Sequence, residues 1–126
     1  MTDPAQSPKV VLIVDDDLAI LKMMKAQLEI EGYTVLAEST GVEALKTVKN
    51  KKLLAVLLDL HLGDMDGFEV LKQIKAAKPV LPVIMVTGSH DEAEARKTFD
   101  FGAWDYVTKP IDFNYLKNIL MLQSPE

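Results

Sequence analysis

The chain has 126 residues, 48% of them hydrophobic and 26% charged, with 19 acidic against 14 basic side chains for a formal net charge of −5. That is the length and balance of one globular domain in water: no second domain fits, and no apolar run approaches the roughly 20 residues that span a bilayer, so no membrane association is expected. The acidic balance argues against direct nucleic-acid binding, which needs Lys and Arg to neutralise phosphates, and the lack of cysteine fits a cytoplasmic location.

Residues 1–8 carry two prolines and no periodicity, lack the basic start and apolar segment of a secretory signal, and read as a flexible leader. Val10 to Val14 is a β-branched run of strand length that ends at Asp15, Asp16 and Asp17. Leu18, Leu21, Met24 and Leu28 then recur at helical spacing, and Gly32 stands where a glycine C-cap would stop that helix. A strand is expected over 33–37. A second helix, 41–50, should turn Val42, Leu45 and Val48 inward and Glu43, Lys46 and Lys49 outward. The cluster Lys49, Lys51 and Lys52 reads as a solvated helix end complementing the dipole.

Residues 53–58 form an apolar run without a polar break that leads into Asp59, the pattern of a central parallel strand covered on both faces. Asp59 then leaves the core at the carboxyl end of the strand, where open α/β sheets bind ligands; Asp64 and Asp66 are better placed to cap the next helix. That helix, 67–77, should bury Phe68, Leu71 and Ile74. A strand over 82–87 closes on Thr87 and Gly88, and a helix over 91–101, thinly apolar, would turn Ala95 and Phe99 inward. A strand over 104–107 and the turn Thr108-Lys109-Pro110 lead to a last helix over 112–122, with Asp112 as N-cap and Phe113, Leu116, Ile119 and Leu120 as its stripe. Residues 123–126 read as a tail or the start of a linker.

Strand and helix alternate five times with short connections, which predicts a doubly wound five-stranded parallel sheet between two layers of helices. All strand exits then lie on one edge, so Asp15, Asp16, Asp59, Thr87 and Lys109 should converge on one pocket. Crowded carboxylates repel unless a cation joins them. A hard ion with oxygen ligands answers that need; Mg²⁺ suits it best, with calcium and manganese as less tidy or less available choices. A metal beside one strand-end Asp, with a hydroxyl and an ammonium near, describes a phosphoryl-transfer site with Asp59 as nucleophile. Gly67 and Gly88 leave room for the group and for backbone N–H donors.

Val14-Asp15-Asp16, Leu58-Asp59-Leu60 with Met65-Asp66-Gly67, Val86-Thr87-Gly88 and Tyr106-Val107-Thr108-Lys109-Pro110 resemble the receiver domains of bacterial two-component response regulators, over 9–122. The resemblance implies a flavodoxin-like fold of strand order 2-1-3-4-5 and a phosphorylation-dependent signalling switch rather than an enzyme. Asp59 would be the phosphoacceptor, charged from a phosphohistidine on a sensor histidine kinase or a histidine phosphotransfer protein. Asp16, Asp59 and the backbone carbonyl of His61 would ligate Mg²⁺, with Asp15 holding a coordinated water. Thr87 and Tyr106 would act as the switch, altering the surface of the fourth helix, fifth strand and fifth helix that controls an output domain or effector, or that forms a homodimer. The bond before Pro110 would be cis.

Two departures stand out. Gly63 replaces a proline that many relatives carry four residues after the acceptor, so the loop over Asp59 is expected to be looser. His61 reads first as a solvated loop side chain and otherwise as an imidazole that, with Gly88 across the pocket, modulates phosphate lifetime. Among rivals, a haloacid-dehalogenase-type phosphatase needs an Asp where His61 stands, flavodoxin would not place three aspartates in a phosphate loop, and no P-loop motif is present. A receiver serving as a constitutive docking module without phosphorylation is the remaining alternative. The segment Phe101 to Tyr106 also looks like receivers attached to enhancer-binding activators.

Overall fold

A computed structural model describes residues 9–123; the leader and the last three residues of the expected tail lie outside the described residues. Five strands and five helices alternate: β1 Val10–Val14, α1 Leu18–Ile30, β2 Thr34–Glu38, α2 Gly41–Asn50, β3 Ala55–Leu58, α3 Gly67–Ala77, β4 Val83–Thr87, α4 Glu92–Asp100, β5 Asp105–Thr108 and α5 Phe113–Met121. The strands form one sheet in the order β2-β1-β3-β4-β5, and every pairing is parallel. This is the expected flavodoxin-like doubly wound fold.

Successive strand residues face opposite sides of a sheet, and the core divides accordingly. Val11, Ile13, Ala55, Leu57, Ile84 and Val86 pack with Leu21, Met24 and Leu28 of α1 and Leu116, Ile119 and Leu120 of α5. Leu12, Val14, Val56, Leu58, Val83 and Met85 pack on the other side with Ala44 and Val48 of α2 and Val70, Leu71 and Ile74 of α3. Buried on both faces, β3 and β4 read as continuous apolar runs for this reason.

The helix boundaries follow from caps. Asp17, Asp91 and Asp112 each accept two backbone N–H bonds at the starts of α1, α4 and α5, and Asp66 accepts one from Phe68 at the start of α3. α1 ends in a Schellman turn: Tyr33 N–H reaches the Leu28 carbonyl and Gly32 N–H the Glu29 carbonyl, with Gly32 at φ +93°. Asp64 departs from expectation, because it caps α2 across the chain, accepting from Gly41 and Val42 N–H at 2.9 and 3.1 Å. Those bonds, Gly41 first, hold its carboxyl below the ordinary value.

Some facing was misjudged. Leu18, Val42 and Phe99 are exposed, since α1 turns Leu21, Met24 and Leu28 inward, α2 turns Gly41, Ala44 and Val48 inward, and α4 buries Thr98. Glycine and alanine carry the α2 contact because the helix lies close: a Cβ on Gly41 would come within 2.9 Å of Met65 and Val70. Thr98 is tolerated inside because its hydroxyl donates to the Ala95 carbonyl at 2.7 Å.

Candidate functional site

Three of the strand-exit residues are each pinned by one ladder bond beyond the strand. Asp15 N–H donates to the Glu38 carbonyl at 3.2 Å, Asp59 N–H to Val14 at 2.9 Å and Lys109 N–H to Thr87 at 2.8 Å. Three backbones that carry polar side chains are thus fixed by the sheet itself, and their side chains share its carboxyl edge.

There the side chains meet. Carboxylate oxygens of Asp15, Asp16 and Asp59 all lie within 4.8 Å of one another. Asp15 and Asp59 are buried while Asp16 faces solvent. Lys109 Nζ bridges the buried pair, 2.7 Å from Asp15 Oδ2 and 3.1 Å from Asp59 Oδ2. The remaining oxygens are also engaged: Asp17 N–H donates to Asp15 Oδ1 at 2.9 Å and His61 N–H to Asp59 Oδ1 at 3.1 Å. No buried side-chain polar atom among the described residues lacks a partner.

Burial pushes the Asp15 carboxyl up, and the nearby Asp59 charge adds to this, although the Lys109 and Asp17 bonds work against it. Burial also opposes the Lys109 charge, but the bonds to Asp15 and Asp59 outweigh it and hold the ammonium above its ordinary value. One ammonium therefore serves two buried carboxylates, with a third carboxylate beside them. Such a set is short of positive charge and presents oxygens to a hard divalent ion.

Thr87 is buried at the end of β4, its hydroxyl oxygen accepting from Ser89 N–H at 3.3 Å. Tyr106 is half-buried, its hydroxyl donating to the Ser89 carbonyl at 3.0 Å, and burial raises the pKa of this phenol. The Lys109–Pro110 peptide is cis, as the resemblance implied. At the start of α3, Gly67 packs against the loop that follows Asp59: a Cβ there would run into the Leu60 carbonyl oxygen, to which Gly67 N–H donates. Around Gly88 a Cβ would meet nothing within 4 Å, leaving the expected room beside Thr87. Gly63 sits near the rim, where a Cβ would stand 3.9 Å from Asp16 Oδ2.

The His61 side chain is 63% exposed, as a solvated loop residue would be, yet its Nε2 lies 3.7 Å from Glu94 Oε2. Sequence reasoning missed Glu94 and Ser89. Glu94 stands three residues after the cap Asp91, a spacing that signals a capping box and so points to a helix start rather than a site. Only the tertiary structure reveals that Glu94 lines, with His61, a cleft along the loop that follows Asp59.

A doubly wound parallel sheet carrying an acidic cluster, a buried hydroxyl and a bridging lysine at its carboxyl edge defines the class. The family model of the response regulator receiver domain matches residues 11–121, and the chain belongs to that family. A transcriptional regulatory protein, ZraR of Klebsiella oxytoca, is 37% identical over 107 residues, covering 85% of this chain and 24% of its own length. The chain thus spans about a quarter of that curated relative. A CheY-like receiver domain protein from Methanospirillum hungatei is 36% identical with a TM-score of 0.85, over 91% of this chain and 95% of that one. The receiver domain of a sensor histidine kinase from Pseudomonas aeruginosa, solved with magnesium coordinated in its active-site cleft, is 25% identical with a TM-score of 0.83, over 91% and 96% of the two chains. Among the described residues, no helix is long and apolar enough to cross a membrane.

Proposed function

We propose that the chain is a phosphorylation-dependent switch with Asp59 as its phosphoacceptor, its unit being residues 9–122. The observation that carries this reading is the meeting of Asp15, Asp16 and Asp59 around Lys109 at one sheet edge. In the transfer, an Asp59 carboxylate oxygen attacks phosphorus, the P–N bond to a donor phosphohistidine breaks, and the electron pair leaves with the imidazole. The donor belongs to a sensor histidine kinase or a histidine phosphotransfer protein. Lys109 releases part of its hold on Asp59 and neutralises a phosphoryl oxygen, the Thr87 hydroxyl donates to another, and the backbone beside Gly88 offers space for the group.

Asp16, Asp59 and the His61 backbone carbonyl would hold Mg²⁺, with Asp15 holding a coordinated water; all three carboxylates are within reach of one ion. When bound, Mg²⁺ supplies charge neutralisation and orientation for the phosphoryl oxygens. The magnesium of the Pseudomonas receiver supports this assignment. The chemistry is self-phosphorylation and self-dephosphorylation, with His61 and Gly88 as modulators of phosphate lifetime.

Drawing Thr87 toward the phosphoryl group changes what Ser89 and the Tyr106 ring contact, and so the α4-β5-α5 surface. That surface would control an output domain or effector protein in the cytoplasm, or pair two copies. Acetyl phosphate with Mg²⁺ should add the mass of one phosphoryl group, and Asp59→Asn should abolish the addition. A chain that gains no mass while remaining folded would be a constitutive docking module instead.

A further inference from the structure

Far from Asp59, at the amino end of the sheet, the surface carries charge that runs against the molecule's balance. Lys51 and Lys78 are the C-cap residues of α2 and α3, and the last turns of these two helices line one depression. Lys49 and Lys52 flank the first cap, and Lys75 stands one turn before the second. None of these five ammonium groups belongs to an ion pair among the described residues. Compensation of helix dipoles accounts for only part of this charge. Two helix C-termini present about half a negative charge each, so about four positive charges remain in excess. They do so in a chain whose formal net charge is −5.

Between the lysines the surface dips into three depressions that run into one another. Leu45, Val48, Ala76 and Ala77 line the first, of about 350 Å³. It shares Val48 with a small one bordered by Lys51, Lys52 and Lys78. That one shares Leu53 and Val80 with the groove of about 440 Å³ that reaches Trp104. Val80 stands at the junction with 73% of its surface exposed. No acidic residue lines any of the three.

We propose that this face docks an acidic polypeptide segment of a partner protein, its carboxylates meeting the lysines and its apolar side chains filling the dips between them. Charge complementarity demands an anion, and three features favour a polypeptide over a nucleic acid. Phosphates are gathered by helix N-termini and by arginine forks, whereas this face presents two helix C-termini and no arginine lines it. The last carbonyls of a helix seek N–H donors, which a peptide backbone has and a phosphodiester lacks. Trp104 is the only aromatic side chain in the lining, too few for a platform on which successive bases stack. The inference does not depend on Asp59 being the phosphoacceptor.

The test uses a short synthetic peptide of glutamates interspersed with leucines, compared with polyglutamate and single-stranded oligodeoxythymidylate of equal charge. NMR follows the backbone amides within 48–53 and 75–81, and fluorescence anisotropy gives the affinity. The peptide should shift those amides and bind about tenfold tighter than polyglutamate, the scale of one or two buried apolar side chains. Lys51→Glu with Lys52→Glu should weaken it about tenfold or more, because each reversal turns an attraction into a repulsion. Lys49→Gln with Lys78→Gln, which only neutralises, should weaken it less. Val80→Ser should weaken the peptide about three- to tenfold and leave polyglutamate unchanged. All of these positions face solvent, so the variants should unfold as cooperatively as the parent. Equal affinity for peptide and polyglutamate would reveal unspecific charge attraction only and overturn the proposal. Tighter binding of oligodeoxythymidylate would assign the face to nucleic acid, and self-association abolished by the lysine reversals would assign it to a second copy; either overturns it. So would a peptide that shifts none of these amides or that binds the lysine variants as it binds the parent.

Discussion

The two edges of the sheet are built from the same strands and differ in almost everything else. At the carboxyl edge, Asp15, Asp59 and Thr87 are buried polar groups, each held by the backbone or by Lys109. At the amino edge, Leu53, Leu54, Pro82 and Trp104 line a groove beside Val80, and the Lys75 ammonium in its lining donates to the Leu81 carbonyl. Burial pushes the Lys75 ammonium down, since no carboxylate opposes that effect. One edge concentrates unlike charges in the dry and the other lets apolar side chains meet water. Chemistry should therefore fail when the first edge is altered, and stability should depend on the layers between.

The largest effect expected is Asp59→Asn: complete loss of mass gain from acetyl phosphate with a retained, cooperative unfolding transition. It removes one of two carboxylates that repel in the resting protein, so the variant should be at least as stable as the parent in urea. A variant that unfolds would show that the carboxyl edge supports the fold as well as the chemistry.

Next comes a residue between the edges. Leu57 is buried on β3 and packs against the α1 and α5 layer. Leu57→Ala should cost about 2–5 kcal/mol in urea unfolding, with the folded fraction still accepting phosphate. Lys109→Met should cost less in stability, about 1–3 kcal/mol, because it strands Asp15 and Asp59 without their shared cation. Mg²⁺ should narrow the gap between Lys109→Met and the parent, whereas it stabilises Leu57→Ala and the parent alike and leaves their gap unchanged; calorimetry with and without the ion distinguishes the two.

Asp64 offers a smaller and pH-dependent test. Its folded carboxyl titrates below the ordinary value because of the N–H bonds from Gly41 and Val42. Its contribution is thus fully present above the unfolded pKa and lost as pH falls through the folded one. Asp64→Ala should lower the melting temperature slightly at neutral pH and converge on the parent in acid, below the ordinary carboxylate range. A difference that persists there would mean that packing near Met65, and not the helix cap, carries the loss.

The alternation of strands and helices and the converging residues were legible because both depend on short-range pattern: apolar runs that lead to Asp15, Asp59, Thr87 and Lys109 fix where each strand leaves the core, whereas the strand order came from the family resemblance alone. What escaped was whatever depends on how helices lie. Leu18 and Phe99 fit helical spacing but fall outside the buried arc, since a period alone does not choose the arc. Glu94 and Asp64 carry ordinary cap signals, and only tertiary packing brings one to Ser89 and His61 and the other to the start of a different helix.

The amino edge supplies the smallest effect and the sharpest limit on the comparison. Trp104 is fixed by its backbone, whose N–H donates to the Val83 carbonyl at 2.7 Å, while its ring is largely exposed. Trp104→Ala keeps that ladder bond and removes area already half in water, so stability should change by no more than about 1 kcal/mol. Rates of phosphoryl gain and loss should be unchanged, because the ring lies at the opposite end of β5 from Lys109. A slowed or hastened phosphate lifetime in this variant would mean that β5 transmits between its ends, and that the two edges are coupled parts of one switch rather than a reactive rim and an inert one.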